Sequence, residues 1–141
     1  MAKTDYPPKK EKRTFGELGE NVKNNFFKDD YHELLNMSKT SSLDKILNKI
    51  EVFVQQEGSS LSTSQLRNIY DKSIKADSLN ELKILRPNLA YIAGRSNNDR
   101  EKSLLAFIDI LIKDVKSEEQ VREFKIFFEA VVAYHKFYGK Q

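Results

Sequence analysis

The sequence predicts an all-α fold, a single bundle of five or six helices with one of them kinked near Pro87. Three observations lead there. Apolar residues recur at three- and four-residue spacing through most of the chain beyond residue 43. Helix-start signatures, a serine followed three residues later by glutamine, precede two of these stripes. No segment shows sustained two-residue alternation bounded by turn signals, so no sheet is expected, and no repeat of solenoid period is present.

Taken in order, residues 1–13 contain Pro7-Pro8 and a lysine-rich run and read as a disordered basic tail ahead of one folded domain, 14–141. Phe15 to Tyr31 is ambiguous, because its apolar spacing is poor and it holds two glycines; it docks as a loop or a short helix. Leu43, Ile46, Leu47, Ile50, Phe53 and Val54 form a helical stripe, with Ser42 as its N-cap and Gly58 as its stop. Ser62 and Gln65 then form a capping box, and Leu66, Ile69, Tyr70, Ser73 and Ile74 share one face of the helix over 62–76. Leu79, Leu82, Leu85, Leu89 and Ile92 make the next stripe. Pro87 removes a backbone donor and disfavours helical geometry at Arg86, so the helix kinks there or divides into two short ones with Pro87 in the first turn of the second, ending at Gly94. Ser96-Asn97-Asn98 is a turn. Asp99 caps the following helix, in which Leu104, Leu105, Phe107, Ile108, Leu111, Ile112 and Val115 point almost all round; such a helix is central. Ser117 and Gln120 suggest a second capping box, before a face of Val121, Phe124, Phe128, Val131, His135 and Tyr138.

Composition narrows the function. The chain has no cysteine, which excludes thiolate catalysis and Cys-built zinc sites and fits a reducing cytoplasm. The longest apolar run, Leu104 to Ile112, is interrupted by Asp109, short of a membrane span, and the first residues lack the apolar stretch of a signal peptide. The net charge is +3, and residues 1–13 with five basic and two acidic residues supply all of it. The rest is neutral in sum, so binding a polyanion requires its cations to be segregated on one surface. Catalytic constellations are missing. His32 and His135 have no motif around them, and His135 reads as a packing residue bonded to a backbone carbonyl. Asp29-Asp30 with His32 is adjacency in a loop, not a metal set. No glycine-rich phosphate loop is present, and no cofactor, metal or small-molecule substrate is expected.

The cations are the better lead. Lys45 and Lys49 lie one turn apart, opposite their helix's apolar stripe. Arg67, Arg86, Arg95 and Lys102 gather near helix ends or the kink, where lysine and arginine suit phosphate contacts. Arg67 stands in a first helical turn, at the positive end of the dipole, which favours a bound anion as its partner; the competing role for it is an i, i+4 ion pair with Asp71. Phe53, Phe107, Phe124, Phe127 and Phe128 fall on apolar faces and read as core, while Tyr91, Tyr134 and Tyr138 near helix ends are free to hydrogen-bond or stack.

Three stretches, Ser62-Thr-Ser-Gln-Leu-Arg67, Leu85-Arg-Pro-Asn-Leu-Ala-Tyr-Ile-Ala-Gly-Arg95 and Phe127-Phe-Glu-Ala-Val-Val-Ala-Tyr-His-Lys136, together resemble the small subunit of type III-A CRISPR Csm effector complexes. The resemblance covers residue 43 to the end and leaves the first 40 residues without a match. It implies a non-catalytic, all-helical subunit of an antiviral ribonucleoprotein that stacks in several copies beside RAMP-fold backbone subunits and the large subunit. There it lines the groove holding CRISPR RNA paired to its target RNA. Gln65, Arg67 and Arg95 match the family's motifs; Arg86 and Lys136 fall inside matching stretches; Lys45, Lys49 and Lys102 come from the helix faces alone. The tail at 1–13 is then either a solvated terminus or an arm on RNA. Competing roles are a helical adaptor with protein–protein contacts only, a helix-turn-helix DNA binder using 62–76, and, most remotely, a hydrolase.

Overall fold

A computed structural model describes residues 13–139. Of the tail expected over 1–13, only Arg13 lies among the described residues. These form seven α-helices and no strand: α1 (Phe15–Val22), α2 (Leu43–Glu57), α3 (Thr63–Lys75), α4 (Leu79–Lys83), α5 (Leu85–Gly94), α6 (Asp99–Asp114) and α7 (Glu118–Tyr138). A π-helical turn, Lys23–Phe27, and a 3-10 helix, Lys28–Leu35, join α1 to the loop before α2. The all-α bundle is as expected, and it has six helices when α4 and α5 are counted as one kinked helix. The break falls at Ile84, which places Pro87 third in α5. There its missing N–H is one of those a helix start leaves unbonded in any case.

α6 is the axis of the bundle. Leu104 through Ile112 are all buried, as an all-round apolar helix requires, and α1, α2 and α5 pack on it. Phe107 is the hub of the aromatic core. Its ring stacks on Phe27 with centroids 4.8 Å apart and meets Phe53, Tyr31 and Phe127 edge-on. Offset and edge contacts of this kind add to the burial energy of the rings. All five phenylalanines read as core are fully buried.

The ambiguous segment after Thr14 is helical. Thr14 and Glu17 close a reciprocal capping box, with the Glu17 N–H donating to Thr14 Oγ1 over 3.1 Å and the Thr14 N–H donating to Glu17 Oε1 over 2.8 Å. Gly19, one of the glycines that obscured the helix, is what lets α1 reach α6. A Cβ there would stand 2.5 Å from the Ala106 carbonyl oxygen. Lys28, at the π to 3-10 junction, has φ of 50°, the only positive φ outside glycine among the described residues. That geometry costs on the order of 1 kcal/mol. It stands next to Phe27, whose carbonyl accepts from Lys49 Nζ over 3.3 Å.

Several caps differ from expectation. Ser42 precedes α2 but makes no side-chain cap, since its φ of −118° and ψ of 34° depart from the extended backbone an N-cap needs. Asn98, not Asp99, caps α6, accepting from the N–H groups of Arg100 and Glu101. Ser117 caps α7, but Gln120 reaches one residue further back and accepts from Lys116, so the second box is not closed on Ser117. Leu43 and Ile74, assigned to apolar stripes, stand at the start of α2 and the end of α3 and are 40% and 41% exposed.

His135 occupies the role expected of it. It is buried, and its Nε2 lies 2.9 Å from the Gly58 carbonyl and 2.8 Å from that of Leu61, pinning the α2–α3 loop to α7. Two carbonyls on one nitrogen make Nε2 the protonated donor.

Candidate nucleic-acid interface

The fold sorts the cations into those consumed internally and those left to solvent. Lys45 and Lys49 converge on Asp30 at 3.2 and 2.6 Å. Hydrogen bonding to Lys49, above all, holds the Asp30 carboxyl below the usual carboxylate range. Arg86 is bound to the buried Asp109, with Nε 2.8 Å from Oδ1 and Nη2 3.4 Å from Oδ2. This pair compensates the one charge inside the apolar run of α6. Lys83 donates to the Ile112 and Lys113 carbonyls at the end of α6, and Lys125 does the same for Ile74 and Ala76 at the end of α3. Each cation meets the negative end of a helix dipole. Burial, together with the nearby Lys116 and Arg86, draws the Lys83 ammonium below its ordinary value.

Arg67, Arg95 and Lys102 form no ion pair with the described residues, and the expected Arg67–Asp71 pair does not close. Of the seven basic and amide positions singled out from sequence, Lys45 and Lys49 meet at Asp30, and one other pair comes together. Gln65, at the start of α3, and Arg95, at the end of α5, line a single open cleft of about 680 Å³. The start of α6 and the turn before it supply the third wall. The cleft is built by local rules. The Ser62–Gln65 capping box fixes the start of α3, with Gln65 N–H to Ser62 Oγ at 3.1 Å and Ser62 N–H to Gln65 Oε1 at 3.3 Å. Asn98 turns the chain into α6, and Ser96 Oγ accepts from the Asn98 N–H over 3.0 Å. Arg95 follows the last residue of α5 and closes that helix with backbone bonds to the Tyr91 and Ile92 carbonyls.

Arg67 and Lys102 do not line this cleft, and Lys45, Lys49 and Arg86 lie elsewhere, held by their carboxylates. Composition did not single out Ser60, Asn97 and Glu101 for the wall. Of the three, only Asn97 left a trace in sequence, as part of the polar turn over 96–98. Glu101 is the single carboxylate among the lining residues and accepts from the Ser96 hydroxyl at 3.2 Å. A guanidinium beside neutral hydroxyls and amides, open to solvent, suits an anionic oxygen better than a catalytic step. No group of histidine and carboxylate side chains able to hold a metal occurs among the described residues, and none of their helices is long and apolar enough to cross a membrane.

The described residues thus form an all-helical scaffold with an open polar cleft, and comparison assigns the class: a subunit of a larger complex. Comparison with known proteins makes this specific: the family model Csm2 Type III-A matches residues 37–141. The "CRISPR system Cms protein Csm2" of Streptococcus thermophilus is 37% identical over 89 residues, covering 56% of this chain and 74% of that protein. The chain belongs to the Csm2 type III-A family and is a small subunit of a type III-A CRISPR complex. No solved structure matches it.

Proposed function

We propose that the chain is a non-catalytic, RNA-binding structural subunit of a type III-A CRISPR ribonucleoprotein in antiviral defence. One observation carries this reading. Gln65 and Arg95, from two stretches about 30 residues apart that match the family's motifs, meet in one cleft, and Arg95 forms no ion pair among the described residues. The subunit contacts the sugar–phosphate backbone of CRISPR RNA paired with target RNA, where base pairing reads the sequence and the protein needs only distributed cations and donors. It stacks in several copies beside the RAMP-fold backbone subunits and the large subunit in the cytoplasm, with residues 14–141 acting as one domain. Repetition along the particle makes weak single contacts add up. The test is RNA binding by the isolated protein over a salt series. Binding dominated by phosphates weakens steeply as salt rises, and Arg67→Ala with Arg95→Ala lowers affinity alike for unrelated sequences. Unchanged affinity in that double variant overturns the assignment of these residues.

A second reading, an adaptor with protein contacts only, has its own support. Ile84 is 71% exposed and Phe137 80% exposed, large apolar side chains that protein partners cover. Crosslinking in the assembled particle separates the two, because an adaptor yields protein crosslinks and no RNA adducts.

A further inference from the structure

Tyr91 stands on α5, whose other side packs on α6, yet its own ring is 64% exposed. It stacks on no other ring among the described residues. Its neighbour is the Arg95 guanidinium, centred 5.8 Å from the ring centroid, the arrangement of a loose cation–π pair. A tyrosine so placed buries little and contributes little to the core. It forms one wall of the cleft that holds Gln65, Ser60 and Asn97. The Ser60 and Asn97 side chains make no hydrogen bond with the described residues, so they face solvent with their donors unspent.

The chemistry of these walls selects the occupant. A greasy helix laid over Tyr91 would also bury Arg95, Ser60 and Asn97 without partners, each at the cost of an unsatisfied polar group. A nucleotide satisfies all of them at once: a flat base against the ring, an anionic phosphate against the guanidinium, and ribose hydroxyls against the amide and hydroxyl. Glu101, which accepts from the Ser96 hydroxyl, lines the same cleft, and its carboxylate repels a phosphate set beside it, leaving the guanidinium of Arg95 as the anion's partner. A base inside a duplex is stacked on both faces and offers none to a side chain. We propose that this cleft holds one unpaired nucleotide of an RNA strand, its base on Tyr91 and its phosphate on Arg95. The proposal rests on the RNA-binding reading above and adds a preference for unpaired RNA at this point.

The test compares a labelled oligouridine strand with a blunt RNA duplex carrying the same number of phosphates, titrated against the full chain. Tyr91→Phe keeps the ring and Tyr91→Leu keeps apolar bulk without it. Both are surface changes, and thermal melts coincident with the parent establish that they fold. Tyr91→Leu is expected to weaken single-strand binding about tenfold while Tyr91→Phe stays near the parent, and neither changes duplex binding. Equal loss on strand and duplex, or no loss on either, overturns the proposal and leaves the RNA-binding reading standing. A parent chain that binds neither RNA overturns both. Intact RNA binding by Tyr91→Leu with failure to enter the assembled complex assigns the ring to a protein contact instead, which also overturns it.

Discussion

Two clefts flank α5, of nearly equal size at about 660 and 680 Å³, and each holds an arginine from that helix or its end. In the first, between α1 and α5 over α6, Arg86 is locked to Asp109 and Lys83 to the end of α6. In the second, Arg95 shares the cleft with hydroxyls, amides, an exposed ring and the Glu101 carboxylate, with which it forms no ion pair. The two arginines are nine residues apart and look alike in sequence. The difference between them is what stands opposite. A carboxylate buried on α6 consumes one guanidinium for folding, whereas the α6 carboxylate of the second cleft, Glu101, is engaged by Ser96 and leaves the other guanidinium available to a ligand.

The largest effect that tests this contrast is Arg86→Leu. It strands the Asp109 carboxylate in a mostly apolar surround and is expected to cost about 3 kcal/mol of stability in urea unfolding, with RNA affinity of the folded protein unchanged. Replacing Asp109 with Leu in the same chain returns most of that loss, because a buried ion pair is exchanged for apolar packing. If Arg86→Leu instead weakens RNA binding at full folding, the division between the two clefts fails. Next in size, Arg95→Ala leaves stability within about 0.5 kcal/mol and lowers RNA affinity several-fold, with the salt slope reduced by about one phosphate; fluorescence anisotropy across salt measures both. Smaller again, Glu101→Gln removes the carboxylate from the second cleft and tightens RNA binding about two- to threefold at low salt, an advantage that fades at high salt. The smallest change is Gly94→Ala. A Cβ at Gly94 meets open space, so the substitution stiffens the helix end that carries Arg95 and is expected to stabilise the fold by about 0.5 kcal/mol in the same urea assay.

Much of the fold was legible because its signals are local. The stripes of α2, α3, α6 and α7, the Ser62–Gln65 box and the break near Pro87 each depend on residues within a turn or two of one another. α1 was hidden although Thr14 and Glu17 have the spacing of a capping box, since Gly16 and Gly19 argued against a helix. Only packing explains Gly19, whose missing side chain matters because of Ala106, 87 positions away. The candidate site was half legible. Gln65 and Arg95 were marked by family motifs. The pairing of Lys45, Lys49 and Arg86 with carboxylates was invisible, because the carboxylates that claim them come from other elements.

By itself the sequence determined the helical class, the central place of α6 and the membership of a CRISPR small-subunit family, since helical periodicity, capping and motif order are all written along one stretch of chain. Tertiary structure alone decided which positive charges remain for a partner. An ion pair forms between residues that the fold brings within about 4 Å, whatever their separation in sequence, and linear spacing carries no record of that distance.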